Sequence, residues 1–198
     1  GRQGSGRGGG VAAPYFTDGV TLTGSSGSYI WCADSAALSF STDVEVVIRA
    51  KCTDWSAVAN QTLVGKYLTT GNQRAWRFYT NTGGALQVTG SANGTAVATA
   101  TVTPSVSLVD NTTQWLRCRL DLTNGSNSVG TLEVAADAAS NDEPSSFTAN
   151  GTATATALAG LFDSSAKLEI GAFNDGTGER FAGKIYRVIV RSGFAGTT

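Results

Sequence analysis

The sequence predicts an all-β protein built as a two-sheet antiparallel sandwich, and three observations predict it. Short stretches of period-2 alternation recur along the chain, separated by turn residues roughly every 8–12 positions. Charged residues make up only 15% of the 198. Thr, Ser, Ala, Asn and Gly fill the deficit, which suits strands joined by tight turns rather than long surface helices. The third observation is the closing stretch 166–191, AKLEIGAFNDGTGERFAGKIYRVIVR, where two strand signals flank a polar, glycine-rich excursion. In the first signal Leu168 and Ile170 alternate with Lys167 and Glu169. In the second, Tyr186, Val188 and Val190 point one way, and Ile185, Arg187, Ile189 and Arg191 the other. Apolar residues on both sides of that last strand predict that its second face is also partly covered.

Taken in order, residues 1–10 (GRQGSGRGGG) read as a flexible tail or linker, because glycine this dense costs too much backbone entropy to order by itself. The competing reading is an arm that docks on a partner. The sandwich domain is expected over 11–198. Residues 11–23 hold a first short strand and 29–32 a second, with Ile30 and Cys32 inward and Tyr29 and Trp31 outward. Residues 34–38 form a turn with Leu38 tucked beneath. The clearest alternation is 43–52: Val44, Val46, Ile48, Ala50 and Cys52 share one face, and Glu45, Val47, Arg49 and Lys51 the other. Trp55 falls in a loop, 53–60. A strand at 61–67 precedes one at 74–80, which places Trp76 and Phe78 on one side and Arg77 and Tyr79 on the other. Gly83 and Gly84 make a hairpin turn into 85–89. Residues 94–109 form one or two edge strands interrupted at Pro104, since proline cannot donate to a ladder. In 114–122, Leu116, Cys118, Leu120 and Leu122 face inward and Arg117, Arg119 and Asp121 outward, with 130–135 returning alongside. The polar stretch 137–150, with Pro144, is a surface loop; 151–161 is strand-compatible. The excursion 174–180 ends at Phe181, which re-enters the core.

Composition removes several function classes. The net charge is −1, so no basic field exists to attract nucleic acid or an anionic membrane, and neither is expected as a partner. No apolar run approaches the roughly 20 residues a membrane-spanning helix needs. There is no His, hence no Ser-His-Asp triad, no His-ligated zinc and no histidine general base. The three cysteines, Cys32, Cys52 and Cys118, have neither metal-site spacing nor an even count. All three are expected as buried small hydrophobes; the sharper alternative is a Cys52–Cys118 bridge, which requires Cα atoms within about 7 Å. Free thiols would fit folding in a reducing cytosol. The chain begins at Gly1 without Met, so it reads as processed or as a piece of something longer.

The order of landmarks carries a resemblance. YIWCADSAAL (29–38) precedes the alternating VEVVIRAKC; QTLVGKY, GNQRAWRFY and GALQV follow, then QWLRCRLDL with GTLEV, and finally KLEIG and FAGKIYRVIV. This series resembles the laminin-G-like, concanavalin-A-like lectin/glucanase jelly roll over roughly 15–191, and the Ala/Thr/Gly-rich, His-free version here resembles those on bacteriophage tails and capsid surfaces. The resemblance implies two stacked antiparallel sheets and a non-catalytic binding role, for cell-surface glycans or for other virion subunits, including copies of itself, at a virion surface assembled in the host cytoplasm. Glycoside hydrolysis stands a distant third. Hydrolase relatives aim paired carboxylates from one strand as Glu-x-Asp-x-x-Glu. Here Asp43 and Glu45 come in the reverse order, and Ile48 occupies the third place.

Three sets of candidate residues follow. Aromatics placed outward, Tyr29, Trp31 and Tyr79, with Trp55 on its loop, can stack on sugar rings while Arg77 supplies planar polar contacts. Outward arginines recur on three strands, Arg49, Arg117, Arg119, Arg187 and Arg191. They read as an exposed face with cross-strand pairs or as a docking face for another subunit. The resemblance also implies Ca²⁺ at the sandwich rim; Asn174, Asp175 and Glu179 are the first candidates for it, and Asn141, Asp142 and Glu143 the next. Against this stands the ordinary reading of loop carboxylates as solvated.

Overall fold

The structure, a computed structural model, describes residues 18–136 and 140–194; the expected tail at 1–10 lies outside them. Among the described residues twelve strands form: β1 (Val20–Thr23), β2 (Ile30–Cys32), β3 (Val44–Cys52), β4 (Gln61–Leu68), β5 (Gln73–Thr80), β6 (Leu86–Gly94), β7 (Ala98–Val102), β8 (Thr113–Asn124), β9 (Asn127–Ala136), β10 (Thr148–Thr156), β11 (Leu168–Ile170) and β12 (Ala182–Ser192). They make two six-stranded sheets. Sheet A runs β1-β12-β3-β8-β9-β10 and sheet B runs β2-β11-β4-β5-β6-β7. Every pairing is antiparallel. The jelly-roll crossovers put sequence-distant strands side by side, β12 beside β3 in one sheet and β11 beside β4 in the other.

The alternation seen in sequence becomes register. Across sheet B, Ile170, Val64, Phe78, Val88 and Ala100 are direct cross-strand partners, and all five are buried. From sheet A, Val46, Ile48, Leu116, Cys118, Leu132 and Val188 close the other side of the core. Phe40 stacks on Trp76, which meets Phe78 edge-on. Each such side chain contributes about 1.5–3 kcal/mol by leaving water. Leu38 is tucked under a short 3₁₀ turn, and Phe181 re-enters the core, both as expected.

Four expectations change, while Cys52 and Cys118 keep the burial expected of them. Trp55 is 2% exposed, with its ring edge-on to Phe181, because its backbone N–H is anchored to Asp110 Oδ1 (2.8 Å) and the loop folds inward. Cys32 is exposed: β2 is a three-residue edge strand, so its inward parity points past the sheet rim. Cys52 and Cys118 are both free and buried. They lie on neighbouring strands, but Cys118 pairs with Val46, six residues from Cys52, about 20 Å at the strand rise. In β12 a bulge at Tyr186 reverses the parity, so Ile185 pairs with Ala50 in the core and Arg187 with Arg49 outside. Finally, the outer face of sheet A is not open. Val47, Glu45 and Arg49 are buried, because the stretch 140–147 before β10 folds back over them. The second-face cover expected for β12 is this stretch, and β10 itself starts at Thr148, inside the expected loop.

Candidate functional site

The two outer faces differ in what they leave available. On sheet A the arginines are consumed within the chain. Glu45, 0% exposed, accepts from Arg119 Nε at 2.7 Å and Arg191 Nη1 at 2.8 Å. Glu133 accepts from Arg117 Nε at 2.6 Å and also faces Arg119 at 3.4 Å, while Arg191 further engages Glu143. Arg49 donates to Asn141 Oδ1 at 2.7 Å, and Arg187 reaches the Asn141 carbonyl. Aromatic rings cap the guanidinium planes: Tyr186 over Arg49, Phe147 over Arg117, Phe194 over Arg119. Hydrogen bonding to Glu133 raises the Arg117 pKa above its ordinary value, and bonding to Glu143 and Glu45 does the same for Arg191. A shallow pocket of about 320 Å³ opens beside this network, lined by Arg119, Thr131, Glu133, Ala149 and Thr152.

Sheet B presents a different surface. One row of cross-strand partners reads Trp31, Glu169, Gly65, Arg77, Thr89, Thr99, and it alternates with the core row, so its side chains face outward. The adjoining outer row reads Thr62, Tyr79, Gln87, Thr101. Arg77 is the centre. Its guanidinium carbon lies 3.9 Å from the Tyr79 ring centroid, 4.2 Å from Phe173 and 4.8 Å from Tyr67. Glycine at 65 is what lets the side chain lie across β4: a Cβ there would sit 3.0 Å from Arg77 Cγ. Nη1 of Arg77 donates to Glu179 Oε2 at 2.6 Å, and Asn60 Nδ2 donates to Glu179 Oε1 at 3.0 Å. A guanidinium held by three rings and one carboxylate is pre-organised, so little entropy is lost when it binds a planar or anionic group.

Trp31 stands at the other end of the row, 52% exposed, with Lys167 Nζ 4.7 Å from its ring centroid. Between them Glu169 is 2% exposed and its Oε1 has no hydrogen-bond partner. Burial pushes its pKa from 4.5 to about 7, and Asp175 pushes the same way; Lys167 and the backbone N–H groups of Gly176 and Asp175 oppose this. Two more polar atoms of this face are buried without partners, Arg77 Nε and Thr62 Oγ1.

Of the expected aromatic set, the structure brings Arg77 and Tyr79 into contact and puts Trp31 on the same row. Tyr29 lies at the rim, where a Cβ on Gly176 would overlap its ring. Trp55 does not join them. The calcium candidates lie beside this face but have other partners. Asn174 Oδ1 accepts from Thr69 N (2.8 Å) and Oγ1 (3.1 Å), Asp175 pairs with Lys167 at 2.9 Å, and Glu179 holds Arg77. Among the described residues, no three His, Cys, Asp or Glu side chains gather as a metal site. Sequence reasoning missed Glu169, Tyr67, Phe173 and Thr62 as members of the site. Alternation marked Glu169 as outward, but its neighbours come from strands far away in sequence.

No family model and no curated protein matches the chain. Solved structures do. The fold is similar to the CBM40 domain of the Ruminococcus gnavus IT-sialidase bound to α2,3-sialyllactose, with a TM-score of 0.59 at 13% identity over 88% of this chain and 89% of that one. The same domain bound to α2,6-sialyllactose gives a TM-score of 0.54 at 16% identity, over 88% of this chain and 90% of that one. A further structure of that domain gives 0.57 at 16%, over 87% and 88%. The likeness spans nearly the full length of both chains, and it establishes the fold: this chain is a lectin-like jelly-roll β-sandwich.

Proposed function

We propose that this chain is a non-catalytic glycan-binding module whose site is the outer face of sheet B. The observation that carries the reading is the single row holding an exposed Trp31, a buried Glu169 with one oxygen unpartnered, and an Arg77 caged by Tyr67, Tyr79 and Phe173. Sugar recognition needs this combination: an aromatic plane for the apolar face of a pyranose, with fixed charged and polar groups for its hydroxyls and substituents. The shared fold with carbohydrate-binding domains bound to sialyllactose supports it. We place the module on a bacteriophage surface, as a host adhesin, on the strength of the composition and landmark order described above. The alternative, a decoration protein docking through the sheet A arginines, is weakened because those arginines already hold Glu45, Glu133, Glu143 and Asn141.

The test is a glycan array on the 198-residue chain, followed by titration calorimetry with 3′-sialyllactose, 6′-sialyllactose and lactose. Saturable binding is expected, and Trp31→Ala should abolish retention while the fold persists. A blank array from folded protein, or undiminished binding by Trp31→Ala and Tyr79→Ala together, overturns the reading.

A further inference from the structure

The segment 172–180 lies over the sheet B face, and its construction is unlike that of a passive connection. Its base is closed: Phe181 N donates to the Gly171 carbonyl at 2.9 Å, and Gly171 N donates to the Leu63 carbonyl at 2.9 Å. Above the base, Phe173 and Gly178 exchange backbone hydrogen bonds, so the tip is a small hairpin able to move as one piece. The tip is tied down at separate points. Glu179 holds Arg77 and Asn60, and its carbonyl accepts from Thr62 N at 2.7 Å. Asn174 holds Thr69, and Phe173 covers the Arg77 guanidinium. Yet the closed arrangement is costly. Asn174, Asp175 and Glu179 have φ of 54°, 57° and 37°, left-handed values; Asn and Asp tolerate this region, and Glu179 adopts it against a steric penalty. The three orphaned polar atoms of the face, Glu169 Oε1, Arg77 Nε and Thr62 Oγ1, belong to the strands that the tip covers or touches. A buried group left without a partner is destabilising unless something else can satisfy it.

We infer that 172–180 is an autoinhibitory lid, that the Glu179 carboxylate is an internal occupant of an anion subsite on Arg77, and that the ligand is a glycan bearing a carboxylate or other anionic group that takes its place. The inference rests on the sheet B face being the glycan site, and it adds the charge of the ligand and the means by which access is controlled. An incoming anion exchanges one charge-assisted hydrogen bond for another of the same kind at Arg77. Lifting the lid also exposes Glu169 and Thr62 to sugar hydroxyls, which take the place of the Asp175 and Gly176 N–H groups on the Glu169 carboxylate. A neutral sugar has no group to displace Glu179 and gains none of this.

Two variants test it in the full chain. Glu179→Gln keeps the shape and the Asn60 contact but removes the charge; Gly176→Ala places a methyl into the Tyr29 ring at a positive φ and forces the tip away from the sheet. Hydrogen exchange of the amides that bond between tip and sheet, Thr62, Thr69 and Asn174, should accelerate in both, by about tenfold if the closed state holds nine-tenths of the population, and affinity for 3′-sialyllactose should rise by about the same factor. The rise should exceed any change for lactose. Exchange unchanged in both variants overturns the lid. Weakened sialyllactose binding in both overturns the autoinhibition. Accelerated exchange with no sialyllactose binding by any of the three proteins upholds the lid and removes its assigned ligand. A blank array with protected lid amides overturns the glycan reading and the lid together.

Discussion

Glu169 offers the sharpest quantitative test of the site. It is buried on the outer face of sheet B with one oxygen unpaired, and burial raises its pKa from 4.5 to about 7. A carboxyl whose folded-state pKa is raised stabilises the fold while both states are protonated, and loses that contribution as pH climbs toward the folded value. Below about pH 4.5 the contribution is fully present; between about 4.5 and 7 the unfolded chain ionises while the folded one holds its proton, so stability falls; above about 8 both are ionised and the dependence levels off. The full shift corresponds to at most about 3.4 kcal/mol, and relaxation around the ionised carboxylate lowers this to about 2 kcal/mol. The measurement is a difference, so that the titration of every other group cancels. Urea unfolding of the wild type and of Glu169→Gln, a neutral near-isostere, is compared from pH 4.5 to 9. The wild type should lose about 2 kcal/mol relative to the variant across that window, most of it before pH 7. A difference that does not vary with pH would refute the burial argument for this residue.

Three further outcomes follow from the same geometry. Trp55→Ala should cost about 3–5 kcal/mol of stability, read as a fall in the urea midpoint, and should leave residual folded protein with unaltered glycan retention, since the side chain is core rather than ligand contact. Glu45→Ala should cost about 3 kcal/mol by leaving Arg119 and Arg191 without their shared buried carboxylate, and a loss below about 0.5 kcal/mol would mean that the network is energetically idle. An aromatic disulfide reagent should titrate Cys32 alone in native protein and all three thiols after unfolding, because Cys52 and Cys118 are buried and burial pushes the Cys52 thiol to about 11.

Local alternation was enough to read most of the strands. Val44–Cys52 has one apolar face because its side chains alternate, whatever lies beside it, and the same holds for the Leu116-to-Leu122 face and for Trp76 and Phe78. Outward placement of Arg77, Tyr79 and Trp31 came from the same local rule and survived. What the sequence could not determine is adjacency. Glu169 lies between Trp31 and Gly65, and Arg77 beyond Gly65, only because β11 enters sheet B between β2 and β4, a crossover with no local signal. Parity also has no memory of a bulge, so one extra residue at Tyr186 carried Ile185 into the core. Whether an outward face meets water depends on which loop folds back over it. The stretch 140–147 buried Glu45 and Arg49, and an anchored backbone drew Trp55 inward from a polar loop. Strand identity is a property of neighbours in the chain; a binding face is a property of neighbours in space, and here those neighbours meet through long-range pairing that only the folded chain creates.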